Sequence, residues 1–208
     1  MAIPAGFILM GIDKLSNTAV TNSLGDDIAK IVRQHAIAST GVALASAIPG
    51  AGAIACILAQ TAVVYSMYVR MNKALNISLK KNVVKSIASA VIANIATNAV
   101  TFIGSIVASS VLSMIPGVGS AASTILMGSI GYATVMIAAL VYAKALSAMA
   151  KSNKNIETMS EDEIKAAVQK EIKNRDIKSD MKTFTQEYKR EKKMGAFDHA
   201  EEIELEAM

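Results

Sequence analysis

IPGAGA, residues 48–53, and IPGVGS, residues 115–120, sit inside the two most apolar stretches of the chain. The first interrupts a run of 34 residues without a formal charge, Ala36 to Val69, and the second a run of 58, Ser86 to Ala143. Proline removes a backbone donor and stops a helix, while glycine permits the reversal that follows. Pro49, Gly50 and Gly52, and again Pro116, Gly117 and Gly119, therefore read as two helical turns written in nearly the same words.

Outward from these turns, four long helix-compatible segments emerge: about 26 to 48, 50 to 75, 79 to 115 and 117 to 149. The expected fold is all-α, two tandem helical hairpins with Pro-Gly tips, followed by a charged helical tail. Residues 1–25 form an N-terminal segment, 26–150 the hydrophobic hairpin domain and 151–208 the tail. The two turns lie 67 residues apart, Tyr65 and Tyr132 match at the same spacing, and Lys73-Ala74-Leu75 finds its counterpart in Lys144-Ala145-Leu146 after a four-residue slip. Tandem hairpins of one kind would produce this internal repeat.

Composition sharpens the contrast between body and tail. Hydrophobic residues make up 52% and charged residues 18% of the 208-residue chain, an excess that is unevenly placed. The first 150 residues hold nine bases and three acids, the remainder twelve bases and fourteen acids. The net charge of +4 thus combines a basic, apolar body with an acidic, highly charged tail. No basic stripe interleaved with aromatics is present, which argues against a nucleic-acid partner. Cys56, the single cysteine, lies in an apolar run and reads as a small buried thiol. The opening MAIPAGFILMGIDK lacks a basic region ahead of its apolar run and contains Pro4, so no cleavable signal peptide is expected. Ala2 stands where N-myristoylation requires glycine.

A helix that is apolar on every side must be buried on every side, and about 20 residues suffice to cross a bilayer. The 58-residue run accommodates two crossings around Pro116. The 13 uncharged residues before Pro49 cover only about 20 Å, so the first hairpin reads as shallower or re-entrant. Arg70, Lys73, Lys80, Lys81 and Lys85 form a connector without an acid, whereas both tips carry no charge. By the positive-inside tendency the connector and both termini belong on the cytoplasmic side.

The order IPGAGA, then Gln60, then the helix from Val63 to Met71 with Tyr65, Met67 and Arg70, then LNISLKKN, then a long helix ending in SMIPGVGSAAS, is similar to the YcjF-like helical membrane domain. That domain stands beside or fused to bacterial Era-like small GTPases. The resemblance covers about residues 38 to 147, and no G-x-x-x-x-G-K-[ST] phosphate loop occurs in the chain. It implies a stand-alone relative that is membrane-associated and works with a GTPase encoded elsewhere. It carries no catalytic residues across.

Two further patterns concern helix contacts. Asn94, Asn98, Thr101, Ser105 and Ser109 recur at steps of three and four and share one face. Amides inside an uncharged segment need partners, and Gln60 with Thr61, or the same stripe on a second copy, can supply them. A water-filled pore is a third reading of the stripe, against which stands the absence of an ionisable residue on that face. Ser120, Thr124 and Gly128 form a ridge of small residues suited to close helix approach, as do Ala51, Ala55 and Ala59. In the tail, Ser160 with Glu163 forms a capping-box pattern ahead of Ile164, Val168 and Ile172. Ser179 is the candidate cap of a second helix carrying Met181, Phe184 and Tyr188. These apolar edges suit docking on the body, on headgroups or on a neighbouring subunit.

His35 and His199 have no metal-ligand spacing, and no serine lies in a G-x-S-x-G elbow. The expectation is a non-enzymatic, cofactor-free membrane protein that self-assembles. The alternatives are a protein delivered in soluble form that inserts its hairpins into a target membrane, and a soluble helical assembly subunit.

Overall fold

The computed structural model describes residues 23–45, 52–109, 119–152, 156–195, 197 and 203–208. It is all-helical, with no strand among the described residues. Among the described residues six α-helices follow in order: α1 Ser23–Ala45, α2 Gly52–Ala74, α3 Lys81–Ser109, α4 Gly119–Lys151, α5 Glu161–Lys173 and α6 Ile177–Lys193. Pro49, Gly50, Pro116 and Gly117 lie outside the described residues, while Gly52 and Gly119 are the first residues of α2 and α4.

α4 is the axis of the molecule, in contact with all five other helices. From Gly128 to Ala139 every one of its residues is buried, as a helix without a polar face requires. Here protein supplies much of that cover. α1 crosses it most closely at Gly131, where a Cβ would stand 2.6 Å from the Ser39 carbonyl oxygen and 2.8 Å from the Ala43 Cβ. Glycine at that position lets the two helix backbones approach.

α2 runs parallel to α4. The Tyr68 hydroxyl donates to the Ala138 carbonyl at 2.9 Å and the Tyr142 hydroxyl to Asn72 Oδ1 at 2.8 Å, two contacts with the same sequence offset of 70. The two tyrosine rings stack with centroids 4.0 Å apart. α1 is antiparallel to α2, since His35 meets Ser66 while Ser39 meets Gln60. The first residues of α2 and α4 and the last of α1 therefore gather at one end. α2 stops at Asn76, whose φ of 50° is a left-handed conformation that asparagine tolerates. The Ile77 N–H donates to the Asn72 carbonyl at 2.8 Å, and the chain turns back into α3.

The tail joins the same core. Ser160 Oγ accepts from the Glu163 N–H at 3.2 Å and Glu163 Oε2 from the Ser160 N–H at 3.0 Å, completing the capping box that starts α5. Ile164, Val168 and Ile172 of α5 are buried against the body, as are Ile177, Met181, Phe184 and Tyr188 of α6. Of the three settings open to these apolar edges, the described packing is docking on the body. α6 is capped by Asp176, whose side chain accepts from the Ser179 N–H at 3.1 Å, so Ser179 is the donor where its sequence position suggested the cap. A carboxylate at this position also meets the positive end of the helix dipole.

Candidate functional site

The end where α2 and α4 begin is apolar in sequence and contains the large exposed hydrophobic residues of those helices, Leu58 at 60% exposure and Ile125 at 36%. Both lie six residues from the start of their helices; by the offset of 70 that joins Tyr68 to Ala138 and Asn72 to Tyr142, Leu58 is level with Gly128 and Ile125 lies almost one turn nearer that end. The charges of α1, Asp26, Asp27, Lys30 and Arg33, lie toward its opposite end. α6 meets α4 at Gly128, where a Cβ would stand 2.7 Å from the Tyr188 hydroxyl. The same helix pairs with Arg33 of α1 through Glu191 at 2.7 Å, and the Tyr132 hydroxyl donates to Glu187 Oε1 at 3.3 Å. Burial holds the Glu187 carboxyl above its ordinary range. Beyond Gly128, residues 119–127 of α4 continue without a charged side chain.

One helix among the described residues is long and apolar enough to cross a membrane, Ile125–Lys151, and 78% of its window is buried inside the protein. Two or more crossings were expected from charge-free length. The packing of α1 and α6 on α4 accounts for much of the apolar surface that expectation assigned to lipid.

The residues singled out for helix contacts separate. Gln60 is buried and both ends of its amide go to α1: Oε1 accepts from the Ser39 hydroxyl at 3.2 Å and Nε2 donates to the Ser39 carbonyl at 3.2 Å. Asn94 and Thr101 are exposed on α3, and Asn98, half-buried, donates to the Asn94 carbonyl at 3.0 Å. The Thr101 hydroxyl donates to the Thr97 carbonyl at 3.3 Å and that of Thr97 to the Ala93 carbonyl at 3.0 Å. The stripe thus faces outward and meets part of its hydrogen-bonding need along its own helix. Ser105 belongs to α3, and Ser120 and Thr124 to α4, with side chains outside the described set. Gly128 faces Tyr188 of α6.

The connector is partly covered. Lys80, Lys81 and Lys85 are exposed. Arg70 Nη2 donates to the Glu204 carbonyl at 2.5 Å and Lys73 pairs with Glu206 at 2.6 Å, so the C-terminal residues 203–208 lie on α2.

Beneath that segment is a relay that no sequence spacing announces. His35 Nδ1–H donates to the Ile31 carbonyl at 2.7 Å, which leaves Nε2 to accept from the Ser66 hydroxyl at 3.1 Å. Ser66 Oγ in turn accepts from the Glu206 N–H at 3.1 Å. Burial, with a further contribution from the Arg70 charge, lowers the imidazole to about 4 against the opposing hydrogen bond to Ile31. A hydroxyl beside an imidazole is part of a nucleophile-base pair. Here both side chains are fully buried, and the imidazole is oriented by a backbone carbonyl. The relay ties α1, α2 and the C-terminus together. Its signal was out of reach because the register of α1 on α2 decides which residues meet.

Among the described residues no group of three or more histidine, cysteine or carboxylate side chains could hold a metal ion. Compared with known proteins, the chain matches no family model, no curated protein and no solved structure. Nothing in these comparisons identifies a YcjF-like domain.

Proposed function

We propose that the chain is a non-enzymatic, membrane-associated protein whose two hairpins turn at Pro49-Gly50 and Pro116-Gly117 and enter a bilayer with those ends first. The observation that carries this reading is the exposure of Leu58 and Ile125, within about one turn of each other along the parallel pair, at an end whose sequence is free of charge. Exposed leucine and isoleucine are ordinary one at a time, but two at the mouth of a charge-free end favour a lipid contact. The nine residues of α4 beyond Gly128 measure about 14 Å at 1.5 Å per residue. That is close to half the roughly 30 Å hydrocarbon thickness. That length suits entry into one leaflet, with the charged helices at its surface.

The exposed face of α3 suits self-assembly, since Asn94, Asn98 and Thr101 repeated on a second copy would find partners there. The resemblance to YcjF-like domains adds a small GTPase encoded elsewhere as a partner, a membrane-shaping or scaffold role, and a bacterial inner membrane with the basic connector on the cytoplasmic side. Flotation with phosphatidylcholine vesicles tests the attachment: the protein rises with the vesicles and stays with them in carbonate, whereas recovery at the bottom of the gradient would refute the reading.

A second reading is favoured by the burial of α4 under α6. There the described form is the soluble one, and α6 leaves so that the α3–α4 hairpin can cross a target membrane. Spin labels at exposed Lys30 and Lys189 distinguish the two. Their separation stays constant on vesicles in the first reading and lengthens in the second.

A further inference from the structure

α6 packs on α4 and α3 and pairs with α1 through Arg33 and Glu191, which leaves the outward face of α2 to the C-terminal segment. That face is graded. Leu58 at its apolar end is 60% exposed, Ala62 and Val69 are half-buried, and Arg70 and exposed Lys73 follow. Lys80, Lys81 and Lys85 continue it as exposed cations, and no acid occurs from Arg70 to Lys85. Two carboxylates lie on it from outside: Glu157, which accepts from the Ser78 N–H at 2.9 Å, and Glu206 of the C-terminal segment.

The hold of that segment is shallow. Glu204, Leu205, Ala207 and Met208 are exposed, and the contacts are the Arg70 bond to the Glu204 carbonyl, the Lys73–Glu206 pair and the Glu206 N–H on Ser66. The hydrogen bond from Lys73, joined by the charges of Lys73, Arg70 and Lys81, draws the Glu206 carboxyl below its ordinary range. An exposed ion pair of this kind contributes little and weakens with salt.

We propose that the outward face of α2, from Leu58 to Lys73 with Lys80, Lys81 and Lys85 beyond it, is a docking surface for anionic lipid headgroups, covered by the acidic C-terminal segment until a membrane displaces it. The gradient along the face runs in the order a bilayer presents, apolar at the inserting end and cationic where headgroups lie. Tilting the molecule about that end lays α2 on the surface, on a side that α6 leaves open. The acidic segment holds Lys73 by the same charge complementarity, through Glu206, and Arg70 through the Glu204 carbonyl. Displacement exchanges one anionic partner for many, since each basic residue at an anionic surface multiplies partitioning by roughly fivefold. The inference rests on the membrane reading, and neutral vesicles report that reading separately.

The test compares the full chain with its Glu204→Gln/Glu206→Gln variant on vesicles of phosphatidylcholine alone and of phosphatidylcholine mixed with phosphatidylglycerol. Circular dichroism checks that both are folded. The variant gains roughly fivefold in partitioning onto the anionic vesicles and nothing on the neutral ones, for the one cation, Lys73, freed of its carboxylate partner. Adding Arg70→Gln and Lys73→Gln abolishes the gain, and so does high salt. No gain on anionic vesicles, or an equal gain on neutral ones, overturns the proposal. Capture of a free peptide of residues 203–208 by the variant without any lipid gain would assign the face to acidic peptides and overturn it as well.

Discussion

Tyr142 and Asn72 form a buried hydrogen bond of 2.8 Å across the parallel pair α2 and α4, directly beside the stacked rings of Tyr68 and Tyr142. Asn72 is 5% exposed, so removing its donor strands an amide oxygen in the core. Tyr142→Phe should lower stability by about 1 to 3 kcal/mol in urea unfolding. In a double-mutant cycle with Asn72→Leu, the two losses should be less than additive, because the second change removes the stranded acceptor. Full additivity would show that the bond holds nothing.

The two glycines of α4 predict different costs. At Gly131 a Cβ would press on the Ser39 backbone oxygen at 2.6 Å, and backbone cannot rotate away. Gly131→Ala should cost about 1 to 3 kcal/mol. At Gly128 the obstacle is the Tyr188 hydroxyl at 2.7 Å, the far end of a side chain. Tyr188→Phe should therefore recover much of the loss caused by Gly128→Ala and none of that caused by Gly131→Ala, as thermal unfolding would show.

These positions mark what was legible in the sequence. The four long segments and the two tail helices could be read from breakers, charge-free runs and the Ser160–Glu163 box, because those signals are local. The partner of each apolar face could not. Gln60, with Thr61, is a candidate partner for Asn94 and Asn98 in the sequence, with a second copy as the alternative, yet it bonds Ser39, a choice made by the crossing of α1 over α2. Gly128 reads in the sequence as part of a ridge for close helix approach, but only the packing shows that Tyr188 of α6 is what lies on it. The outward face of α3 was visible as a stripe, but not its direction.

His35 gives stability a pH dependence. Its imidazole titrates at about 4 in the folded chain against 6.5 in an unfolded one, so the unfolded state binds more protons between these values. The contribution is complete above pH 6.5 and is lost as pH falls toward 4, up to roughly 3 kcal/mol in all. Glu187, raised by burial, works in the opposite sense, gaining stability as pH falls through its folded value. Comparing the unmodified protein with His35→Gln isolates the histidine: the variant should lose less stability between pH 7 and 4.5 in urea titrations. Parallel curves would contradict the neutral relay through Ser66.

Self-assembly through α3 makes a separable prediction. Asn94 is exposed and Asn98 half-buried, so Asn94→Asp/Asn98→Asp should leave stability within about 0.5 kcal/mol. Like charges then oppose each other across a symmetric contact. Light scattering in mild detergent should find an oligomer of the unmodified chain and smaller species for the variant. A monomeric unmodified chain would end the proposal.

The central claim, that the ends of the hairpins enter lipid while the tail stays in water, is tested most directly by an environment-sensitive fluorophore on single cysteines. Leu58→Cys, Ile125→Cys and Lys170→Cys are each placed in a Cys56→Ser background and mixed with phosphatidylcholine vesicles. The account predicts a blue shift and quenching by lipid-borne quenchers at positions 58 and 125, with no change at exposed position 170. Emission at 58 and 125 that remains that of a probe in water, with or without vesicles, would contradict it.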